Sequence, residues 1–157
     1  MEVVIEEATD ATGEVVAAVQ RLVPMLSATA PVPTEGEVRA LVESPATVLL
    51  LARAGGGGDT GGGTGGGTGG EIVGMLTLAL FRIPTGLRAW IEDVVVDTTT
   101  ARRGIGTALT EAALRRAAEA GARTVDLTSR PSRQAANGLY QKVGFARRDT
   151  NVYRYQL

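Results

Sequence analysis

Two glycines, Gly104 and Gly106, stand at the opening of a helix-forming run, a short link after the strand-like run Val94-Val95-Val96. A strand, a glycine-containing turn and a helix N-terminus make an anion site. First-turn N–H groups have no intrahelical partner, and the helix dipole favours negative charge there. Arg102 and Arg103 precede the first glycine, and Ile105 and Thr107 flank the second. The spacing is not that of a Walker loop, which needs G-x-x-x-x-G-K-[ST]. It is not a complete G-x-G-x-x-G fingerprint either, because Leu109 follows Gly106 where a third glycine is needed. On its own, a G-x-G before a helix serves close strand–helix packing equally well.

The chain has no histidine and no cysteine. That removes Ser-His-Asp triads, thiol nucleophiles, disulfides and Cys/His zinc sites, and no metal is expected. Proton transfer is left to carboxylates, tyrosine, backbone groups or water. Glu92 and Asp93 are the candidate bases, set between Trp90-Ile91 and the three valines in a strand that reads as buried. Burial there raises a carboxyl pKa toward a useful range. Strand alternation sends neighbouring side chains to opposite faces, so one of the two faces a reacting group unless a bulge intervenes. Glu92, with the longer reach, is preferred. Ion pairing to Arg88 or Arg82, with water as base, is the structural alternative. Tyr140 is either a proton donor or an aromatic anchor between helix and sheet.

The elements that must position these residues follow from periodicity and punctuation. Val3 to Ile5 reads as a strand. Val15, Val16, Val19, Leu22 and Val23 recur at helical spacing between Thr12 and Leu26, and Thr34 with Glu37 forms a capping box before a second helix. Strands are expected over 47–53, 71–83, 88–97 and 123–128. Helices are expected over 104–120 and 132–142, stopped by Gly121 and Gly144. Two final strands are expected over 145–148 and 151–156. The order β-α-α-β-β-β-α-β-α-β-β is an α/β arrangement, a mixed sheet covered by helices. The 157 residues suit one domain over 1–157. Residues 55–70, with 12 Gly, 3 Thr and one Asp, read as a flexible insertion at a hairpin tip.

Charge is balanced overall, at −1, but not along the chain. Residues 1–100 hold 13 acidic and 5 basic residues, and residues 101–157 hold 4 acidic and 11 basic. The pattern suits a polyanion against the second part and a cation against the first. Duplex nucleic acid is a poor match for a near-neutral total. No apolar run is long enough to span a membrane, and Glu2 with no basic n-region argues against a signal peptide, so a cytoplasmic location is expected. Tyr153 and Tyr155 alternate with Val152 and Arg154, as in an end strand at a homodimer interface or a substrate wall.

The run from Asp97 through Ala108 resembles the pyrophosphate turn of the GNAT N-acetyltransferase superfamily, with pattern [QR]-x-x-G-x-[GA]. Gly104 and Gly106 match, and Ala101 departs from the Gln/Arg position. Ala136, Leu139, Tyr140, Gly144 and Phe145 resemble the family segment N-x-x-A-x-x-L-Y-x-x-x-G-F, with Arg133 in place of Asn. The element order fits the GNAT fold across the chain. The resemblance implies acetyl transfer from acetyl-CoA to an amine of a small molecule or peptide, by direct attack in a ternary complex. It implies that the Val94, Val95 and Val96 backbone binds the pantetheine arm and that Arg102 through Thr107 hold the pyrophosphate. It further implies that Tyr140 protonates the departing thiolate, while Asn137 takes over the polar contact of the missing Asn. The alternative is a non-catalytic acyl-CoA-binding sensor or partner-binding module, for which the Ala101 and Arg133 departures leave room.

Overall fold

The computed structural model describes residues 2–55, 69–101 and 103–157. Most of the Gly/Thr-rich insertion, residues 56–68, and the candidate Arg102 lie outside the described residues.

Three long antiparallel runs make the centre of the sheet. β2 (Thr47–Ala54) pairs with β3 (Glu71–Ile83), which turns through Pro84-Thr85 into β4 (Gly86–Val96). β1 (Val3–Glu7) pairs antiparallel outside β2, and β5 (Val125–Asp126) pairs parallel outside β4. The strand order is β1-β2-β3-β4-β5. The apolar runs of β2 and β3 are nearly continuous because both faces of the sheet are covered.

One face carries α3 (Ile105–Glu119), whose Ile105, Leu109, Ala113 and Ala117 pack on Leu50, Leu76, Leu78 and Ile91. The other face carries α1 (Gly13–Leu26) and α2 (Glu35–Glu43) over Leu49, Leu51, Ile72, Met75 and Val95. Full burial of such a side chain contributes roughly 1.5–3 kcal/mol. The Thr34–Glu37 capping box forms as expected: the Glu37 N–H donates to Thr34 Oγ1 at 3.2 Å, and the Thr34 N–H donates to Glu37 Oε2 at 2.8 Å. Arg53, buried on β2, donates to Glu6 at 2.6 Å, to Glu14 at 2.6 and 2.9 Å, and to the Gly70 carbonyl at 2.8 Å. It ties β1, α1 and the start of β3 together. The Arg53 guanidinium beside Glu14 holds that carboxyl below its ordinary range.

The sheet ends earlier than the sequence suggests. Past α4 (Gln134–Val143), residues 145–157 form no strand, so the two final strands expected there are absent from the sheet. Their alternating pattern is real, but a strand exists only through ladder bonds to a neighbour. Beyond the Phe145 N–H, which donates to the Tyr140 carbonyl at 2.9 Å, this segment makes no backbone–backbone hydrogen bond among the described residues.

Candidate active site

The expected alternation through Glu92 and Asp93 is broken by a bulge. Thr77 pairs with Glu92 and Met75 with Val95, so Asp93 and Val94 together oppose Leu76 alone. Asp93 takes up the strain with φ 51, the one positive φ outside glycine among the described residues. The register puts Trp90 and Glu92 on the α1/α2 face of the sheet, opposite Ile91. The Trp90 indole N–H donates to Glu92 Oε1 at 2.9 Å. Glu92 and Asp93 are both exposed, which corrects the expectation of buried carboxylates. Flanking apolar residues read as burial, but the bulge turns this part of the strand outward.

β4 and β5 pair only at Ala89–Val125 and Trp90–Asp126. Past Trp90 the two parallel strands part, and the β4 backbone from Ile91 to Val96 has no ladder partner on that side among the described residues. At the end of β4 the chain turns sharply around Asp97, which is 6% exposed. Asp97 Oδ1 accepts from the Thr99 N–H at 2.9 Å and the Thr99 hydroxyl at 2.8 Å, while Oδ2 accepts from Arg21 of α1. The Thr99 N–H, then its hydroxyl, and the Arg21 guanidinium hold the Asp97 carboxyl below its ordinary range. Arg21 also donates to the Ile72 carbonyl at 2.5 Å. Asp97 and Arg21 were not singled out from sequence; Asp followed by three threonines is the local signal of a side-chain-capped turn.

The turn delivers the chain to Gly104, the N-cap of α3, in the left-handed region at φ 74. No side chain caps this helix, and its first turn carries no acidic residue. The first intrahelical bond is Ala108 N–H to Gly104 O at 3.0 Å, so the amides of Ile105, Gly106 and Thr107 precede the helical ladder. The Thr110 hydroxyl, fully buried, donates to the Gly106 carbonyl at 2.7 Å and braces this turn. These amides suit a diphosphate, and the unpaired edge of β4 suits an extended amide arm, so the residues present fit CoA.

Tyr140, half-buried on α4, meets Phe145 edge-to-face with ring centroids 5.8 Å apart. Burial pushes its phenol above the usual value near 10, opposed in part by the Arg133 charge. Leu139, its neighbour, lies beside Gly106: a Cβ there would come within 3.2 Å of Leu139 Cδ1. The Asn137 Nδ2 is committed to the Arg130 carbonyl at 2.9 Å, tying α4 to the segment after β5. Ser129, also missed from sequence, carries the one buried side-chain oxygen or nitrogen among the described residues without a hydrogen-bond partner. A cavity of about 280 Å³ lies elsewhere, at the far end of β4 between Gly86 and Arg123. No group of three or more potential metal-ligating side chains is found among the described residues.

The fold is of the α/β class, a mixed sheet that opens beside a helix N-terminus without a side-chain cap. The chain belongs to the acetyltransferase (GNAT) family, whose model matches residues 46–145. It is therefore an acetyltransferase, and the enzymatic reading stands over the sensor reading. An aminoglycoside acetyltransferase from an uncultured soil metagenomic sample, solved with trehalose, is similar in fold. Its TM-score is 0.78 at 20% identity, over 99% of this chain and 96% of that one. The aminoglycoside N-acetyltransferase AAC(6')-Iy, solved in complex with CoA, gives a TM-score of 0.75 at 13% identity, over 99% and 95%. A transcriptional regulator from Bacillus halodurans C-125 gives 0.76 at 23% identity, over 99% and 100%. These likenesses establish the fold alone. A search of curated proteins finds no significant match. Among the described residues, no helix is long and apolar enough to cross a membrane.

Proposed function

We propose that this chain transfers the acetyl group of acetyl-CoA directly to a primary amine of a small molecule or peptide, within a ternary complex. The observation that carries the reading is the parting of β4 from β5 past Trp90, next to the uncapped first turn of α3. In this reading the amides of Ile105, Gly106 and Thr107, with Gly104 and Arg103, receive the pyrophosphate. Arg102 belongs to the same proposal. The open edge of Val94, Val95 and Val96 receives the pantetheine arm by strand-like hydrogen bonds. A backbone N–H of that segment also stabilises the oxyanion.

The acceptor belongs on the α1/α2 face, where Trp90 and Glu92 stand side by side. An indole beside a carboxylate suits a cationic amine, as does the acidic bias of residues 1–100. Glu92, directly or through water, takes a proton from the ammonium; Asp93, on the bulge, is the second candidate. The freed nitrogen bonds to the thioester carbonyl carbon, and the tetrahedral intermediate collapses with loss of the C–S bond. Tyr140 gives its proton to the departing sulfur and is reprotonated from solvent, while the nitrogen releases its second proton to water. Its raised pKa keeps the phenol protonated through neutral and mildly basic pH.

A thiol-release assay over a panel of amines, with acetyl-CoA as donor, tests this. Tyr140→Phe is expected to lower kcat by ~10²-fold or more, the usual contribution of a positioned acid, with the KM for acetyl-CoA held. Unchanged kcat in that variant, or no uptake of CoA by folded protein in calorimetry, overturns the assignment.

A further inference from the structure

The end of β4 opposite the α3 turn carries a separate polar hollow. The cavity of about 280 Å³ there is lined by Thr85, Gly86, Leu87, Arg88, Arg123 and Thr124. Its size is at the low end of ligand pockets and suits a small group.

The donors in this hollow are underused. Arg88 of β4 is exposed and makes no hydrogen bond or ion pair among the described residues. Arg123 stands just before β5, and its Nη1 donates to the Thr85 carbonyl at 3.4 Å, which leaves its other guanidinium donors open. The Arg123 stem lies against Gly86, where a Cβ would come within 3.1 Å of Arg123 Cδ. Glycine at 86 is what lets this guanidinium reach the turn. The Leu87 carbonyl accepts the Arg123 N–H at 3.0 Å, so the Leu87 N–H faces the same edge, and it has no acceptor among the described residues. No carboxylate pairs with either arginine among the described residues.

We propose that this hollow binds a phosphate group, held by Arg88, Arg123 and the Leu87 N–H. Two guanidiniums with no carboxylate between them match the charge of a dianion, and their planar forks match its oxygens. The site lies at the closed end of the β4/β5 cleft. The Ala89 N–H donates to the Thr124 carbonyl at 3.0 Å beside it, and the strands part past Trp90. A phosphate held by Arg88 on one strand and Arg123 at the foot of the other bridges the pair where it is joined. The site is separate from the proposed acetyl-transfer centre and does not depend on it.

The test is a titration of the full chain with inorganic phosphate at mildly basic pH, with ionic strength held constant by sodium chloride, followed through backbone amide NMR. Saturable shifts are expected at Gly86, Leu87, Arg123 and Thr124. Shifts at Gly104 to Thr107 report separately on the α3 turn. Arg88→Gln and Arg123→Gln are each expected to weaken phosphate binding by about tenfold or more, as for a lost hydrogen bond to a charged group. Arg88 has no bond to lose in the free protein, so its variant keeps the test valid even where Arg123→Gln loosens the turn. Acetate, a monoanion, is expected to bind more weakly than phosphate, and exchange of the Ala89 amide is expected to slow when phosphate is bound. Shifts that rise without saturation mean an adventitious ion only and overturn the proposal, as do saturable shifts confined to Gly104 to Thr107. Parent-like affinity in Arg88→Gln, acetate binding as tight as phosphate, or Ala89 exchange unchanged at saturating phosphate overturns it as well.

Discussion

Gly104→Ala is the perturbation whose consequences separate most cleanly. Gly104 sits at φ 74, and a Cβ built there meets nothing within 4 Å. The substitution therefore has no packing cost, only a conformational one. A non-glycine residue in this region costs about 1–2 kcal/mol. Restricting the unfolded chain by replacing glycine returns about 0.4–1 kcal/mol. The net loss is then ~1 kcal/mol, or a fall in Tm of about 2–4 °C for a domain of this size. Asparagine tolerates the left-handed region better, so Gly104→Asn is expected to stay near the parent stability. The open space beside Gly104 is also where the proposed pyrophosphate lies, so both variants are expected to weaken CoA binding by calorimetry. Gly106→Ala behaves differently. Position 106 is helical, so alanine gains up to about 1 kcal/mol of propensity, while its methyl pushes Leu139 of α4 from a 3.2 Å approach. That variant is expected to keep its stability and lose kcat through a displaced Tyr140. Equal destabilisation by alanine and asparagine at 104 refutes the backbone argument, and parent-like CoA affinity in both refutes the anion site.

Asp97→Asn removes the charge that Arg21 and Thr99 hold and is expected to cost ~2 kcal/mol at neutral pH, in the range of hydrogen bonds to charged groups. The folded-state pKa is depressed, so this stabilisation is present above the unfolded value near ~3.9 and is lost as pH falls through the lower folded value. Urea unfolding at a series of pH values should show the gap between parent and variant closing below about pH 4; a constant gap contradicts the assignment. Ser129→Ala removes a buried hydroxyl that has no partner, and such a change is neutral or stabilising in the free protein. It is expected to hold or raise Tm in thermal unfolding, and lost stability would mean that the hydroxyl is satisfied within the fold.

The helices were legible where their signals are local. The capping box at Thr34 and Glu37, the helix start at Gly104 and the stops at Gly121 and Gly144 depend on residues a few positions apart. The length of β3 was legible because an apolar run bounded by glycine and proline has few other readings. The exposure of Glu92 and Asp93 was not, because a bulge is a mismatch between two strands and leaves little trace in one of them. Arg21 with Asp97, 76 residues apart, and Arg53 with Glu14, 39 apart, are invisible to periodicity. The last two strands failed for the same reason: their pattern is local, but the partner that makes them strands is not.

The Arg21–Asp97 pair also says something about how the site is organised. α1 lies on the face of the sheet where Trp90 and Glu92 stand, and Asp97 opens the turn that leads to the first amides of α3. A contact between them joins the two sides of the proposed ternary complex across the end of β4. Asp97 is fixed from three directions, by Thr99, Arg21 and the Val73 carbonyl that accepts its N–H at 2.7 Å. A turn held so firmly at one end presents preset amides to an anion, which lowers the ordering cost of binding. Because Arg21 anchors both Asp97 and the Ile72 carbonyl, a shift of α1 on acceptor binding must strain that turn or carry it along. Asp97→Asn should therefore loosen acetyl-CoA binding and weaken the dependence of its affinity on a bound amine, whereas loss of a merely structural contact would lower stability alone.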